Sequence, residues 1–311
     1  MRPPIKILII GFGDIGERVA ALLRHRFSFS VSTMVRDPKR GRVARAMGAH
    51  PVRGDLRKPG SLQKLAGRAD VIFHFAPPPG YGRHDLHTRN LIAALTPQSN
   101  LCAAKPAFPR PSIRLPKRLV YISTTGVYGD CGGAWIDENQ PLKPSTGRAK
   151  RRVDAERELQ IWGRRFGVSV SILRAPGIYA VNRLPLERLQ KGTPALAAAD
   201  DVFTNHIHAD DLARAAIAVM RDRKAGRIYN VVDDSAMAMA EYFDLVADTF
   251  SLPRPPRLAR ADAAKQLSPA LLSFMSESRR IGNARIKREL GFQLRYPTVG
   301  DFLKTLAKPM N

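Results

Sequence analysis

The sequence predicts an α/β fold, a doubly wound parallel sheet with a smaller C-terminal substrate lobe, and three observations predict it. Short apolar runs alternate with helix-like stretches through residues 1–175, the order that builds a parallel sheet covered on both faces. The first run, Lys6-Ile7-Leu8-Ile9-Ile10, feeds directly into Gly11-Phe12-Gly13-Asp14-Ile15-Gly16. An apolar content of 44% over 311 residues is enough for a sizeable core.

The elements follow in order. Residues 5–10 form a buried strand and 16–26 a helix; 30–35 alternate as a second strand, and 38–47 read as a helix. Pro51-Val52-Arg53-Gly54-Asp55 is a short third strand ending in a turn, and residues 62–65 begin another helix. Residues 70–75 are the fourth strand. It stops at Pro77-Pro78-Pro79-Gly80, because proline cannot continue a central strand. Residues 86–95 are helical, 118–123 the fifth strand, 145–166 a long helix and 168–173 the sixth strand. Two stretches read as insertions, 96–116, rich in proline and basic residues, and 129–145. Beyond Pro176 the pattern weakens and Pro253-Arg254-Pro255-Pro256 interrupts it. The division expected is therefore a sheet domain over 1–175 and a lobe over 176–311, interleaved with the sheet domain.

The glycine spacing carries chemistry. Gly11 permits a tight strand-to-helix turn. Gly13, without a Cβ, lets a pyrophosphate approach the backbone, and Gly16 lets the helix pack close to the strand. The N–H groups of the first helical turn then face the phosphates. A strand before and a helix after make G-x-G-x-x-G the fingerprint of a Rossmann-type dinucleotide site, with Phe12, Asp14 and Ile15 lining the same turn.

Further motifs recur at ordered spacings: Gly54-Asp55-Leu56, Phe73-His74-Phe75-Ala76-Pro77, residues 121–129 (YISTTGVYG), Lys150, residues 174–179 (RAPGIY), 207–211 (IHADD), Tyr229-Asn230-Val231, Asn283-Ala284-Arg285 and Leu290-Gly291-Phe292. Together they resemble the extended and atypical short-chain dehydrogenase/reductases, the group that includes NAD-dependent sugar-nucleotide epimerases and dehydratases. The resemblance covers nearly the whole chain. It implies that Asp55 and Leu56 flank the adenine, that Ala76 and Pro77 line the pyrophosphate–nicotinamide side, and that the chain pairs as a homodimer through helices of the sheet domain.

The end of the second strand decides the nicotinamide. An acid there binds the adenosine ribose 2′-OH. Met34-Val35-Arg36 delivers an arginine, which pairs with a 2′-phosphate through charge-assisted hydrogen bonds. Lys39 and Arg40 add charge. NADP is the expected cofactor; Asp37, the next residue, keeps NAD as the alternative.

Catalysis is where the sequence departs from the resemblance. The family sets a tyrosine four residues before a lysine, on one helical face; the lysine holds the nicotinamide ribose and lowers the phenol pKa so that a phenolate acts as base. Lys150 stands where the lysine belongs, but Thr146 stands where the phenol belongs. Thr124, beside Ser123, matches the hydroxyl that bonds the substrate oxygen. Three explanations stay open: another group such as Tyr128, Tyr179, Tyr81 or His208 moves the proton; the reaction needs no phenolate; or the chain binds its cofactor without turnover, as a sensor. The reading is thus an NAD(P)-dependent oxidoreductase or epimerase acting on a sugar-nucleotide or related small carbonyl or hydroxyl substrate, with a non-catalytic NADP-binding regulator as the alternative.

The net charge of +24 raises the prospect of a nucleic-acid partner, but the basic residues are spread along the chain and no recognised nucleic-acid motif accompanies them; a generally basic surface and an anionic small-molecule substrate are preferred. His206 and His208 share a strand face near Asp210, without a third ligand at ordinary spacing, so no metal is expected. Cys102 and Cys131 are too few for a disulfide framework. Arg2 and Lys6 break any leader-like apolar run, and no stretch is long enough to span a bilayer. The expected location is the cytoplasm.

Overall fold

The computed structural model describes residues 3–97, 114–222 and 226–307. Cys102 and most of the connection expected over 96–116 lie outside the described residues.

In chain order, β1 (Ile5–Ile10) leads to α1 (Asp14–Leu23), β2 (Phe29–Val35) to α2 (Pro38–Ala46), and β3 (His50–Arg53) to a 3₁₀ helix over Pro59–Leu65. β4 (Val71–His74) precedes α3 (Leu86–Leu95). β5 (Arg118–Thr124) precedes a 3₁₀ helix over Thr125–Tyr128, a short β6 (Trp135–Ile136) and the long α4 (Gly147–Phe166). Next come β7 (Ser169–Ala175), β8 (Gly177–Tyr179), α5 (Leu186–Gln190), β9 (Ala195–Leu196), β10 (Phe203–Thr204), β11 (His206–His208), α6 (Ala209–Arg221) and β12 (Ile228–Asn230). β13 (Met237–Ala238), α7 (Met239–Thr249), β14 (Arg257–Leu258), α8 (Arg260–Gln266), α9 (Pro269–Phe274), β15 (Arg280–Ile281), α10 (Ala284–Leu290) and α11 (Val299–Ala307) complete the described chain.

Seven strands form one sheet in the order β12-β7-β5-β4-β1-β2-β3. The pairs β1–β2, β1–β4, β2–β3 and β4–β5 are parallel. The order runs outward from β1 in both directions, and such a reversal opens a crevice beyond the carboxyl ends of the strands. Ile7 to Ile10 are all buried, as a strand covered on both faces demands. Pro51 sits in β3, at the sheet edge, where a missing N–H costs no internal ladder bond.

The expected elements are present with shifted limits. The helix begun at Leu62 is a 3₁₀ helix: its buried residues, Leu62 and Leu65, stand three apart, the spacing that eclipses in a 3₁₀ turn. α1 begins at Asp14, so Gly13 takes the cap position. α4 begins at Gly147, which leaves Thr146 just outside the helix. β12 adds a seventh strand where the sequence offered only the Tyr229-Asn230-Val231 landmark.

Contacts divide the chain into two units, each discontinuous. The first comprises Met1–Ser123, Gly147–Leu173 and Ala213–Ile228. In it α3 and α4 cover one sheet face, with Leu91, Leu95, Leu159 and Trp162 packed on Leu8, Ile72 and Leu119; each fully buried leucine contributes about 1.5–3 kcal/mol. Gly163 makes this packing close, since a Cβ there would stand 2.7 Å from the Val168 carbonyl oxygen. The second unit comprises Thr124–Thr146, Arg174–Leu212 and Tyr229–Asn311. It holds the two-stranded pairs β8–β11, β6–β15, β9–β14 and β10–β13 and a core in which Phe243 and Val246 of α7 meet Phe302 and Leu303 of α11.

Candidate functional site

In the first unit the expected dinucleotide residues gather at the carboxyl ends of β1 to β4. Gly11 has φ +98°, a region open to glycine, and a Cβ there would press on the Ala76 backbone nitrogen and stand 2.7 Å from the Phe75 carbonyl carbon. The loop after β1 and the end of β4 are thereby in backbone contact, fixed by hydrogen bonds from Phe75 N and Ala76 N to Ile10 O at 2.7 and 3.1 Å. A Cβ on Gly16 would stand 2.7 Å from Gly11 O, so the third glycine sets how closely α1 approaches the turn. Gly13 differs from both. Nothing lies within 4 Å of its Cβ position, and its backbone is extended at the head of α1. Open space over a glycine at a helix N-terminus is the cradle a pyrophosphate needs.

The ends of β2 and β3 carry charge. Arg36 is exposed. Asp37 caps α2, its Oδ1 accepting from Lys39 N at 2.8 Å. Arg40 turns back to the glycine turn: its guanidinium donates to Phe12 O and Glu17 Oε1 and lies over the Phe12 ring at 5.6 Å. In the sequence Arg40 reads as charge alone, and its spacing carries no sign of a clamp on the turn. Asp55 accepts from Arg57 through both oxygens, at 3.1 and 2.8 Å. That donor holds its carboxyl at about 2, against the opposing effect of burial, and Arg36 adds to the lowering. Leu56 is buried, and its carbonyl accepts from Asn90 Nδ2 at 2.8 Å.

At the end of β4, Ala76 is buried and Pro77 exposed. The loop that follows is anchored on α4: Arg151 Nη1 donates to Gly82 O at 2.8 Å, and Asp154 accepts from Asp85 N at 2.8 Å. Tyr81 in this loop is 71% exposed. Lys150, in the first turn of α4, is exposed.

Thr124 and Thr146 fall in the second unit. Thr124 Oγ1 accepts from Gly126 N at 3.2 Å and caps the short 3₁₀ helix; Thr146 is half-buried. The other proton carriers considered in this unit are enclosed. Tyr128 donates to Asn230 Oδ1 at 2.7 Å and accepts from Arg174 at 2.9 Å, and burial raises its pKa despite that arginine. Tyr179 is 1% exposed, its pKa raised first by burial and then by Asp233. His208 is packed by the Tyr296 and Phe302 rings, at 4.2 and 4.6 Å, and its Nδ1 accepts from Asp210 N. Among the described residues no group of three or more His, Cys, Asp or Glu could hold a metal, and no helix is long and apolar enough to cross a membrane.

Comparison with known proteins places this geometry. A profile of the NAD dependent epimerase/dehydratase family matches residues 7–232. Protein YeeZ of Escherichia coli (strain K12) is 29% identical over 185 residues, 59% of this chain and 60% of that protein; the match thus spans well under two thirds of the relative. A conserved protein of unknown function from Silicibacter pomeroyi DSS has a similar structure, with a TM-score of 0.76 and 27% identity over 97% of this chain and 98% of that one. UDP-glucuronic acid 4-epimerase from Bacillus cereus, solved with UDP-glucuronic acid and NAD, has a TM-score of 0.71 at 17% identity over 97% and 100% of the two chains, a likeness of fold.

Proposed function

We propose a function that starts from membership: the chain belongs to the NAD dependent epimerase/dehydratase family. On that footing it is an oxidoreductase or epimerase that holds NADP and acts on a sugar-nucleotide or related small, anionic carbonyl or hydroxyl substrate. The observation that carries the reading is the open space over Gly13, between two glycines whose Cβ atoms would strike backbone. Residues present fit the group: the glycine turn for the pyrophosphate, Asp55 and Leu56 for the adenine, Ala76 and Pro77 toward the nicotinamide, Lys150 for its ribose. A nicotinamide dinucleotide, when bound, supplies hydride transfer at a carbinol carbon. The chain's own share is to bind, to orient and to move the accompanying proton, with Thr124 as the hydroxyl for the substrate oxygen.

NADP is preferred because Arg36 is exposed while Asp37 is engaged as a helix cap. An exposed guanidinium suits a 2′-phosphate. The family name and the ligand of the Bacillus cereus neighbour keep NAD as the competing cofactor. A homodimer fits the face between α3 and α4, where Ile92, Ile161, Trp162 and Phe166 line a groove of about 300 Å³ flanked by Arg89 and Arg165.

A second reading, an NADP-binding regulator without turnover, is favoured by Thr146, which offers no phenol. The two separate by experiment. Thermal unfolding with NADPH and with NADH at equal concentration reports binding, since a ligand of the native state raises stability by RT ln(1 + [L]/Kd). NADPH consumption with a panel of carbonyl substrates reports turnover. A larger shift with NADPH and measurable consumption support the enzyme; no shift with either dinucleotide overturns both readings.

A further inference from the structure

Glu277-Ser278-Arg279, the stretch of the second unit that leads into β15, is used by neither reading. Its backbone is laced to the loop over residues 129–145. Ser278 N donates to Asp130 Oδ1 at 2.7 Å. Cys131 N and Gly133 N both donate to Ser278 O at 3.0 Å, and Arg280 N donates to Ala134 O at 2.9 Å. The pairing of β15 with β6 continues the contact, with Arg280 in register with Trp135.

The side chains add a clamp. Glu277 Oε2 accepts from Arg279 Nη1 at 2.8 Å, and both side chains are only 10% exposed. Glu277 Oε1 accepts from the Ser145 hydroxyl. Arg279 Nη1 has two protons, and it also donates to Gly129 O, at 2.6 Å. One ion pair therefore holds both ends of the loop. At the first end Gly129 N donates to Gly126 O at 3.2 Å, and Gly126 N donates to Thr124 Oγ1 at 3.2 Å. Gly129 is thus two hydrogen bonds from the hydroxyl assigned to the substrate oxygen. At the second end Ser145 directly precedes Thr146, which stands where the phenol is missing. The ends also meet each other. Lys143 N donates to Val127 O at 3.1 Å, and a Cβ on Gly129, at φ +69°, would strike the Lys143 carbonyl oxygen.

We propose that Glu277 and Arg279 are positioning residues for the reaction: seated on each other, they set Thr124 through Gly129 and Thr146 through Ser145. The inference rests on the catalytic reading above. Charge-assisted hydrogen bonds are the strong, short ones, and an ion pair taken out of water adds little stability over an apolar contact. What such a pair supplies at this place is a fixed geometry. Geometry matters here because a hydroxyl moved by about 1 Å can cost on the order of 100-fold in rate. Neither side chain donates to or accepts from Thr124 or Thr146 directly; each acts through the backbone or hydroxyl of a neighbour.

Steady-state kinetics on the full chain test this, read as NADPH consumption with the fastest carbonyl compound of the panel. Glu277→Ala removes both arms of the clamp. Glu277→Gln keeps both, with Oε1 accepting from Arg279 and Nε2 donating to Ser145 Oγ. In the alanine variant kcat should fall on the order of 100-fold, and the glutamine variant should regain most of it. The KM for NADPH and the NADPH-induced thermal shift should stay at the parent's values in both, because the glycine turn belongs to the first unit. A parental kcat in Glu277→Ala, or an equal loss in the two variants, overturns the positioning role. Ser145→Ala decides the matter should Glu277→Ala fail to fold, since it cuts one bond from an exposed residue. Its kcat should fall on the order of 10-fold and return in Ser145→Thr; an unaltered kcat overturns the role. A parent that binds NADPH but consumes it with no compound of the panel overturns the catalytic reading, and the positioning role with it.

Discussion

Asp37 Oδ1 accepts the Lys39 backbone N–H at 2.8 Å, and this one bond sets apart the roles of an acid and a base, Asp37 and Arg36, that are adjacent in sequence. The carboxylate that a dinucleotide without a 2′-phosphate would need is held at the head of α2, while Arg36 stands exposed beside it. Arg36→Ala should therefore weaken NADPH far more than NADH. A hydrogen bond to a charged group is worth about 1.5–3 kcal/mol, so the NADPH Kd should rise on the order of 10-fold or more. Titration of both dinucleotides against parent and variant checks it; equal losses for the two would assign Arg36 no part in discrimination.

The three glycines should separate folding from binding. Gly11→Ala meets positive φ and backbone atoms at once, and should cost about 2 kcal/mol or more of stability. Gly13→Ala meets neither: its φ of −104° suits alanine, so stability should stay level or rise by under about 1 kcal/mol while dinucleotide affinity falls. Urea midpoints read beside cofactor titrations give both quantities. Full affinity in Gly13→Ala would mean that the open space there receives nothing.

These contrasts also mark what was legible in the chain. The fold was, because βα periodicity and proline punctuation act over a few residues: the strand at Ile5–Ile10 and the helix at Leu86–Leu95 fall where the pattern puts them. Roles set by contacts distant in sequence were not. Arg40 is 28 residues from Phe12 O, and nothing in its local spacing marks the return to the glycine turn. Asp85, Thr88 and His74 are joined by side chains over 14 residues, and Asp85 and Thr88 read locally as an ordinary helix start. Tyr128 and Tyr179 looked available as phenols because burial is invisible in sequence; both are enclosed.

Lys150 offers a test of a cofactor contact free of a folding effect. It is exposed in the first turn of α4, and an exposed substitution of this kind changes stability by within about 0.5 kcal/mol. Lys150→Ala should leave the ligand-free unfolding temperature nearly unchanged and shrink the NADPH-induced shift. Lys150→Gln, which retains reach without charge, should recover little of it. A full shift in both variants would make this lysine a surface residue only.

The second unit should carry a pH dependence of its own. Asp233 is 3% exposed, with Oδ1 accepting from Ser235 N at 2.9 Å. Burial pushes its pKa up to about 8, and Asp234 adds to the rise, against the lowering by Ser235 and the Tyr179 hydroxyl. The native carboxyl thus keeps a proton that the unfolded chain releases near 3.8. Between those values the native state binds more protons, so stability falls as pH rises and levels off above about 8. His206 and His208 also face Tyr179, at 6.2 and 5.2 Å. Burial lowers the His206 pKa from 6.5 to about 3, so between those values the unfolded chain binds a proton there that the native state does not. That opposing slope is shared by parent and variant and cancels in their difference. Asp233→Asn keeps an acceptor for Ser235 and cannot ionise; the difference between its urea midpoint and that of the parent should widen in the variant's favour from pH 4 to 8. Parallel curves for the two proteins would show that Asp233 titrates as an ordinary carboxylate, and that the enclosure around Tyr179 admits its charge.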